Sequence, residues 1–269
     1  MPAEPALIFD QMAPDYDQVF TDSLIGKAQR GQVRKYLLEL LEIKPVQRIL
    51  EINCGTGEDA SWLASMGYHV TATDVSPEMI RVAREKASFQ TWLSVSYKTM
   101  GFDQLNQLQK EGPFDLVFSN FSGLNCIDKP ALTQLNIQLQ KLVADKGALA
   151  IVVFGKYCIW ETGYHFIKGR LRTAFRRWNK KPADMHLSGN NPLPVWYHSR
   201  RQISGALSGF TFYDKMPVGL FVPPSYLEAG MNKRPRLFRF LQKMDQRCRG
   251  GWLSNFADHR YLLYRKKTS

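Results

Sequence analysis

Along the first half of the chain, stretches with apolar residues at helical spacing alternate with short apolar runs typical of strands. Residues 23–42 place apolar side chains at helical spacing and end before a Lys-Pro pair, which predicts a helix. Ser76 and Pro77 are typical of a helix start, and a further helix is predicted over 130–143. Short apolar runs between the helical patterns predict strands at 48–52, 68–74, 95–100, 114–120 and 148–154. Strands that alternate with helices in this way indicate a parallel α/β sheet.

The alternation of predicted strands and helices ends after residue 155. We interpret residues 1–154 as a core, followed by an aromatic and basic insertion at 155–197 and by a helix and sixth strand at 198–218. A second irregular insertion follows at 219–257, and 258–269 reads as a last strand. The chain is therefore predicted to be one domain with two insertions.

Composition excludes several classes of protein. Hydrophobic residues make up 44% of the 269 residues, which rules out wholesale disorder. The longest apolar run, 148–154, is far below the roughly 20 residues that span a bilayer, and no signal peptide is visible. Four scattered cysteines show neither paired nor zinc-binding spacing, so we expect reduced thiols, no metal and a cytoplasmic location.

The net charge of +12 is distributed unevenly. Residues 1–150 carry 14 basic and 18 acidic side chains, whereas residues 151–269 carry 22 and 6. Two basic stretches with apolar positions at helical spacing, 166–181 and 233–249, account for much of the excess. One hypothesis is docking on an acidic carrier protein or an anionic lipid surface; the alternative is a lid with a solvated basic face.

The first predicted strand runs into a glycine-rich turn, Asn53 to Gly57, which is followed by a helix. Glycines at such a turn let the backbone approach a ligand and present helix N-terminal amides to it. Asp74 ends the next strand, where a carboxylate can accept hydrogen bonds from ribose hydroxyls. Glycine spacing alone leaves a nicotinamide dinucleotide as an alternative ligand.

Further residues carry a family resemblance. Glu51 lies inside the end of the first strand, and Glu51 to Gly57 resembles the first motif of the class I S-adenosylmethionine-dependent methyltransferases. The segments 9–17 and 74–80 resemble those of the ubiquinone/menaquinone-biosynthesis type and its small-molecule relatives, as do 114–120 and the Lys146-Gly147 turn. This resemblance covers residues 7–155. It implies a doubly wound, mostly parallel seven-stranded sheet with an antiparallel last strand, and S-adenosylmethionine as cofactor.

The resemblance also implies roles for individual residues. Gly55 and Gly57 would pass under the methionine moiety, Asp74 would bind the ribose, and Glu51 would orient the loop. Asn53 replaces the first motif glycine, and it tolerates a left-handed backbone better than most residues. No clear counterpart exists for the Asp that often contacts adenine after the third strand. The remaining candidate cofactor contacts are Tyr16, Val75, Met79, Met100, Gly101, Asn120 and Phe121.

Both insertions follow strand ends at the ligand side of such a sheet, so they are expected to cover the site. A methyl acceptor with oxygen or protonated nitrogen needs a base, for which His165, His259 and Glu161 are candidates; catalysis without a histidine also stays open. The candidate acceptor-binding residues are Asn125, Trp160 and Tyr164.

The leading hypothesis is a methyltransferase for a small aromatic or apolar acceptor, with O-methylation favoured over transfer to carbon or nitrogen. An RNA methyltransferase is an alternative suggested by the basic second half, although no RNA-binding module is recognisable and a nucleic-acid partner is not expected. A non-catalytic cofactor-binding protein on the same fold is another alternative.

Overall fold

The predicted strands form one seven-stranded sheet. The computed structural model describes residues 5–90, 92–121, 123–185 and 192–267. The strands of this sheet are β1 (Arg48–Ile52), β2 (His69–Asp74), β3 (Val95–Thr99), β4 (Phe114–Ser119), β5 (Val143–Phe154), β8 (Phe210–Val218) and β9 (His259–Lys266). Their order across the sheet is β3-β2-β1-β4-β5-β9-β8. A separate hairpin pairs β6 (Ala183–Met185) with β7 (Leu193–Val195).

Strand directions confirm the expected fold class. Strands β1 to β5 run parallel, whereas β9 pairs antiparallel with both β5 and β8 and lies between them. In such a sheet the carboxyl ends of the parallel strands share one edge, and the antiparallel strand begins at that edge. Residue His259 at the start of β9 therefore lies beside Phe154 at the end of β5.

Helices cover both faces of the sheet. Ser76 caps the helix after β2, accepting a hydrogen bond from the Met79 amide at 3.0 Å, and Pro77 is its first residue, as predicted. The helices are α1 (Pro5–Met12), α2 (Leu24–Ile43), α3 (Glu58–Ser65), α4 (Pro77–Ser88), α5 (Lys129–Leu142), α6 (Ile159–Ile167), α7 (Leu171–Ala174), α8 (Arg200–Ala206), α9 (Glu228–Asn232) and α10 (Pro235–Arg247). None of the described helices has the length and apolarity needed to cross a membrane.

The hydrophobic core consists of one layer on each face of the sheet. Helices α2, α3 and α4 bury residues such as Leu37, Leu63 and Ile80 on one face. Helices α5 and α8 bury Leu139 and Ile203 on the other. A smaller cluster joins α1 to the β6–β7 hairpin, and thus brings the N-terminal segment and the first insertion together above the strand ends.

The basic stretch 166–181 is not one continuous helix. Helix α6 ends at Ile167, Gly169 adopts a left-handed φ of 68°, and the short α7 follows after this break. Only glycine adopts this conformation at little cost. The apolar positions of the stretch are therefore divided between α6, α7 and the residues after α7, which include a 3-10 turn at Arg176–Trp178. The stretch at 233–249 contains the longer α10.

Candidate active site

One cavity of about 1220 Å³ lies beyond the carboxyl ends of the parallel strands. The glycine turn and the ends of β2 and β4 contribute to its walls, and α1 and both insertions cover it. It exceeds the roughly 300–1,000 Å³ of ordinary ligand pockets. The sequence-predicted residues that line it are Tyr16, Glu51, Asn53, Gly55, Asp74, Val75, Met79, Met100, Gly101, Asn120, Phe121, Glu161 and His259.

The glycine turn has the left-handed backbone expected of it. Asn53 has φ 55°, so the residue that replaces the first motif glycine adopts the conformation for which glycine is usually used. Its side chain donates to the Asn120 carbonyl at 2.7 Å and accepts from the Ser119 hydroxyl at 2.5 Å. These two bonds join the ends of β1 and β4 and stabilise the turn.

Gly57, for which the resemblance implied a place under the methionine moiety, packs against neighbouring side chains at the start of α3. It is absent from the cavity wall, and a Cβ built on it would lie 2.7 Å from the Tyr97 hydroxyl and 2.9 Å from the Ala83 Cβ. Its φ of 76° is also left-handed. The structure thus requires glycine here because α3 starts against neighbouring side chains.

Asp74 accepts backbone hydrogen bonds on both carboxylate oxygens. Gly55 N–H donates to Oδ2 at 2.8 Å and Ser76 N–H donates to Oδ1 at 3.0 Å. Burial nevertheless raises the pKa of Asp74. Each oxygen has a second lone pair, so the carboxylate can accept further bonds from a pair of ligand hydroxyls.

Among the described residues, four that line the cavity have a buried side-chain atom without a hydrogen-bond partner: Glu51 Oε2, Arg30 Nε, Arg177 Nε and His259 Nδ1. Glu51 and Arg30 are side chains of opposite charge near the glycine turn. Burial and the neighbouring Asp59 raise the pKa of Glu51 well above its usual range, whereas Arg30 and Arg34 hold that of Asp59 low. Asp59 is bonded to Arg30, to Arg34 at 2.9 Å and to Asn120 at 2.7 Å.

The orphaned atoms of Glu51 and Arg30 fit a zwitterion. An ammonium group satisfies Glu51, and a carboxylate satisfies Arg30. Both groups are present on the amino-acid end of S-adenosylmethionine. The residues of this chain therefore fit the cofactor that the resemblance implies.

An apolar slot lies beside the end of β3. Its walls include Val75, Met79 and Met100, and Met79 also packs against the N-terminal helix. The sequence analysis found no clear counterpart after β3 for the Asp that often contacts adenine. In the structure Asp103 lines the cavity, and its Oδ1 is 2.7 Å from a Cβ built on Gly101. A carboxylate therefore does reach this slot, from two residues beyond the expected turn.

The N-terminal segment covers the glycine turn. The Tyr16 ring lies 3.8 Å from a Cβ built on Gly55, and burial raises the pKa of Tyr16 to about 12. Asp17 accepts a hydrogen bond from the Thr56 hydroxyl at 2.6 Å and pairs with Lys86 at 2.7 Å. These bonds hold Tyr16 over the turn.

Of the histidines in the described part of the chain, His259 lines the cavity wall. Its ring stacks on Phe154 with centroids 4.8 Å apart and meets the edge of Phe121 at 5.4 Å. Its Nδ1 lies 3.3 Å from Asp258 Oδ2. Asp258 also accepts from Arg177 at 2.8 Å and from Gln29 at 3.2 Å, and His259 and Arg177 keep its pKa below the usual range despite burial.

The other candidate base, His165, does not line the cavity. It packs against the rings of Tyr164 and Tyr226, and partial burial lowers its pKa. Tyr164 is occupied by a contact with the Lys168 ammonium, 4.3 Å from the ring centroid. Of these residues only Tyr226 contributes to the cavity wall.

Two further acceptor candidates have structural partners instead. The Asn125 amide donates to the Trp196 carbonyl at 2.6 Å and accepts from the Phe154 amide at 3.0 Å. The Trp160 indole donates to the Leu220 carbonyl at 3.1 Å. Neither lines the cavity, so both join loops around it.

Glu161 and Arg177 form a buried ion-pair network. Glu161 accepts from Arg176 at 2.7 Å and from Arg177 at 2.8 Å, and these arginines lower its pKa. A carboxylate held ionised in this way is a weak base, which disfavours the expected catalytic role. Arg177 is 4% exposed, so it does not belong to the basic surface expected of this stretch.

Several residues of the cavity had no marker in the sequence. Arg30 lies on an amphipathic helix among other polar residues, and Asp59 lies in the first turn of α3. Tyr226 follows a Pro-Pro pair in the second insertion. Of these cavity residues, only Asp258 could have been suspected from the sequence, because it directly precedes the candidate base His259.

Comparisons with known proteins agree with this geometry. A family model described as a methyltransferase domain matches residues 49–147. The demethylmenaquinone methyltransferase of Renibacterium salmoninarum is 24% identical over 198 residues, which cover 73% of this chain and 75% of that protein. The non-reducing polyketide synthase prhL of Penicillium brasilianum is 27% identical over 154 residues, 53% of this chain but only 6% of that protein.

The fold has a counterpart along its whole length. The CcbJ methyltransferase of Streptomyces caelestis superposes with a TM-score of 0.66 at 16% identity, covering 99% of this chain and 100% of that one. At this identity the likeness concerns the fold. Taken together, residues 49–147 match a methyltransferase domain, and the fold over the whole chain is that of the class I S-adenosylmethionine-dependent methyltransferases, whose cofactor the turn and cavity above fit.

Proposed function

We propose that this chain transfers a methyl group from S-adenosylmethionine to a small, largely apolar acceptor, with oxygen as the favoured atom and His259 as the base. One observation carries the proposal. The cavity that Glu51, Gly55 and Asp74 line continues without interruption to His259. The residues proposed to bind the cofactor and the proposed base therefore line the same cavity.

The protein's main task in such a reaction is alignment. The cofactor, when bound, supplies an electrophilic methyl group, and the chain fixes the geometry of approach. We assign the ammonium contact to Glu51, the carboxylate contact to Arg30 and the ribose contact to Asp74. Tyr16 and the N-terminal segment exclude water from above.

His259 would accept the proton of the acceptor. Asp258 faces Nδ1, so Nε2 is the nitrogen left for the acceptor hydroxyl, and the ionised Asp258 stabilises the resulting imidazolium. The acceptor end of the cavity is lined by Phe154, Leu193 and Val195. These apolar walls favour an aromatic or apolar acceptor.

Calorimetric titration tests the cofactor assignment. We expect micromolar binding of S-adenosylmethionine and S-adenosylhomocysteine and none of reduced nicotinamide dinucleotide. Labelled methyl transfer to a panel of phenols, alcohols and amines then tests the reaction. Methylation of RNA but of no small molecule would instead support the RNA methyltransferase, and tight cofactor binding without any transfer the non-catalytic alternative.

Replacing Asp74 by alanine is expected to weaken S-adenosylhomocysteine binding by about 1.5–3 kcal/mol, because charge-assisted hydrogen bonds to the ribose are lost. Calorimetry measures the change. Asp145→Ala is the matched control, since Asp145 is 88% exposed at the other end of β5. Equal affinities of the two folded variants would contradict the assignment of Asp74.

Cofactor binding should also release a proton from Glu51. Its pKa is raised in the free protein, whereas the bound ammonium favours the ionised form. Affinity for S-adenosylhomocysteine should therefore rise as the pH increases from the pKa of Glu51 in the complex to its raised pKa in the free protein, and level off above that pH. Titrations in buffers of different ionisation enthalpy measure the proton release, which Glu51→Gln should abolish; an unchanged proton count would contradict the contact.

The remaining expectations about location and partners stay predictions. The basic second half points to an anionic partner, and a cytoplasmic location follows from the cysteine pattern alone.

A further inference from the structure

Five aromatic side chains from both insertions form a connected, exposed strip. Ring centroids lie 6.3 Å apart for Trp252–Phe256, 6.5 Å for Phe256–Tyr157, 5.2 Å for Tyr157–Trp178 and 5.0 Å for Trp178–Phe175. Each of the five is between 37% and 67% exposed. An exposed apolar patch of this kind marks an interaction site. We call these five residues the aromatic strip.

The two insertions hold the strip through backbone hydrogen bonds. The Tyr157 amide donates to the Asn255 carbonyl at 3.0 Å, and the Ile159 amide donates to the Phe256 carbonyl at 3.0 Å. The strip is therefore a built surface, fixed where both insertions meet. None of its side chains is needed for the cofactor contacts assigned above.

The surface around the strip is strongly basic. Residues 155–185 carry eight basic and two acidic side chains, and one of those acids, Glu161, is buried beneath two arginines. Partial burial together with repulsion from Arg260 and Lys180 lowers the pKa of Lys156, next to Tyr157. The exposed basic residues of this segment are Lys168, Arg170, Arg172, Lys180 and Lys181.

We propose that the aromatic strip and its basic surroundings dock this protein on the surface of an anionic lipid bilayer. Tryptophan and tyrosine rings are suited to the headgroup region because they are apolar with one polar atom. Lysine and arginine side chains near the surface are attracted to anionic headgroups. Ile167, 86% exposed, and Leu171, 55% exposed, add aliphatic surface beside the bases.

Ring geometry and charge favour a bilayer over other partners. Three of the four ring contacts are edge-on, at 81° to 85°, so the strip does not offer the parallel faces on which successive bases of a nucleic acid stack. Exposed aliphatic residues such as Ile167 add nothing to such stacking. A second copy of the chain would bring two positive surfaces together, which is unfavourable.

Docking in this way would place the acceptor cavity near the lipid. The first insertion carries Tyr157, Phe175 and Trp178 of the strip, and it also carries Glu161 and Arg176 of the cavity wall. An apolar acceptor dissolved in the bilayer would then have a short path to the site. This consequence rests on the proposed function, whereas the docking itself does not.

Co-sedimentation with lipid vesicles tests the docking, without substrate or cofactor. The probes are vesicles of phosphatidylcholine with phosphatidylglycerol and vesicles of phosphatidylcholine alone. The test variant is Trp178→Ala/Trp252→Ala. The matched control is Phe89→Ala/Trp92→Ala, since Phe89 and Trp92 are 85% and 74% exposed near the β3 edge of the sheet.

We expect the wild type and the control to bind the anionic vesicles with affinities within about twofold, and the strip variant to bind at least about tenfold more weakly. Binding to phosphatidylcholine alone should be much weaker for all three. Equal binding by strip and control variants would overturn the proposal, as would no wild-type binding at low salt. Strip-dependent binding of a single-stranded oligonucleotide without vesicle binding would also overturn it.

Discussion

Replacing His259 by glutamine is expected to lower the rate constant of methyl transfer about 10²- to 10⁴-fold, the usual contribution of a positioned base. Glutamine keeps a polar group beside Phe154 and Asp258 but cannot accept the proton. Affinity for S-adenosylhomocysteine should change little, because the contacts assigned to the cofactor come from other residues. Single-turnover transfer of labelled methyl to an acceptor from the hydroxyl panel measures the rate.

His165→Gln provides the matched control, since His165 lies outside the cavity wall. Its rate should stay close to that of the wild type. Equal rates for the two glutamine variants would show that acceptor deprotonation does not involve His259, and would favour catalysis without a histidine.

The second large effect concerns stability. Arg177→Met should lower the free energy of unfolding by about 3–5 kcal/mol, because it leaves Glu161 and Asp258 as buried, poorly compensated anions. Urea denaturation at neutral pH measures the loss. Arg172→Met, at an exposed position of the same segment, should change stability by no more than about 0.5 kcal/mol.

The destabilisation by Arg177→Met should depend on pH with a definite sign. Arg177 holds the pKa values of Glu161 and Asp258 below their usual range. A carboxylate with a depressed folded-state pKa contributes stability above its unfolded pKa, about 4, and this contribution disappears as the pH falls through the folded value. The difference in free energy of unfolding between the wild type and Arg177→Met should therefore have its full size at pH 7 and decrease below about pH 4. A constant difference across this range would argue against the ion pairs as its source.

The sequence predicted the sheet well because each strand carries a local pattern. Its main deviation is β5, which starts at Val143 rather than 148. The added residues include Asp145 and Lys146, and Lys146 has a left-handed φ of 63°, so neither composition nor backbone resembles a strand there. The β6–β7 hairpin escaped prediction because three-residue strands have no period to detect.

Some residues of the candidate site could likewise be predicted from a local sequence motif, whereas others could not. Glu51 at the end of β1 and Asn53 and Gly55 in the turn after it lie within five residues, so a short motif predicts them together. Arg30 and Arg177 reach the cavity region from elements far away in sequence, and polar residues on amphipathic helices have no distinguishing pattern. Asn125 follows β4 and Trp160 and Tyr164 follow β5, but the sequence does not show that their side chains point away from the cavity.

The position of β9 has a consequence for synthesis of the chain. This strand lies between β5 and β8 although it follows both in sequence. Until residues 259–266 have left the ribosome, β5 and β8 present unpaired edges that invite wrong pairing. The groups assigned to the cofactor all precede β5. A nascent chain therefore carries them before it carries His259, and bound cofactor would stabilise it while the sheet is still open.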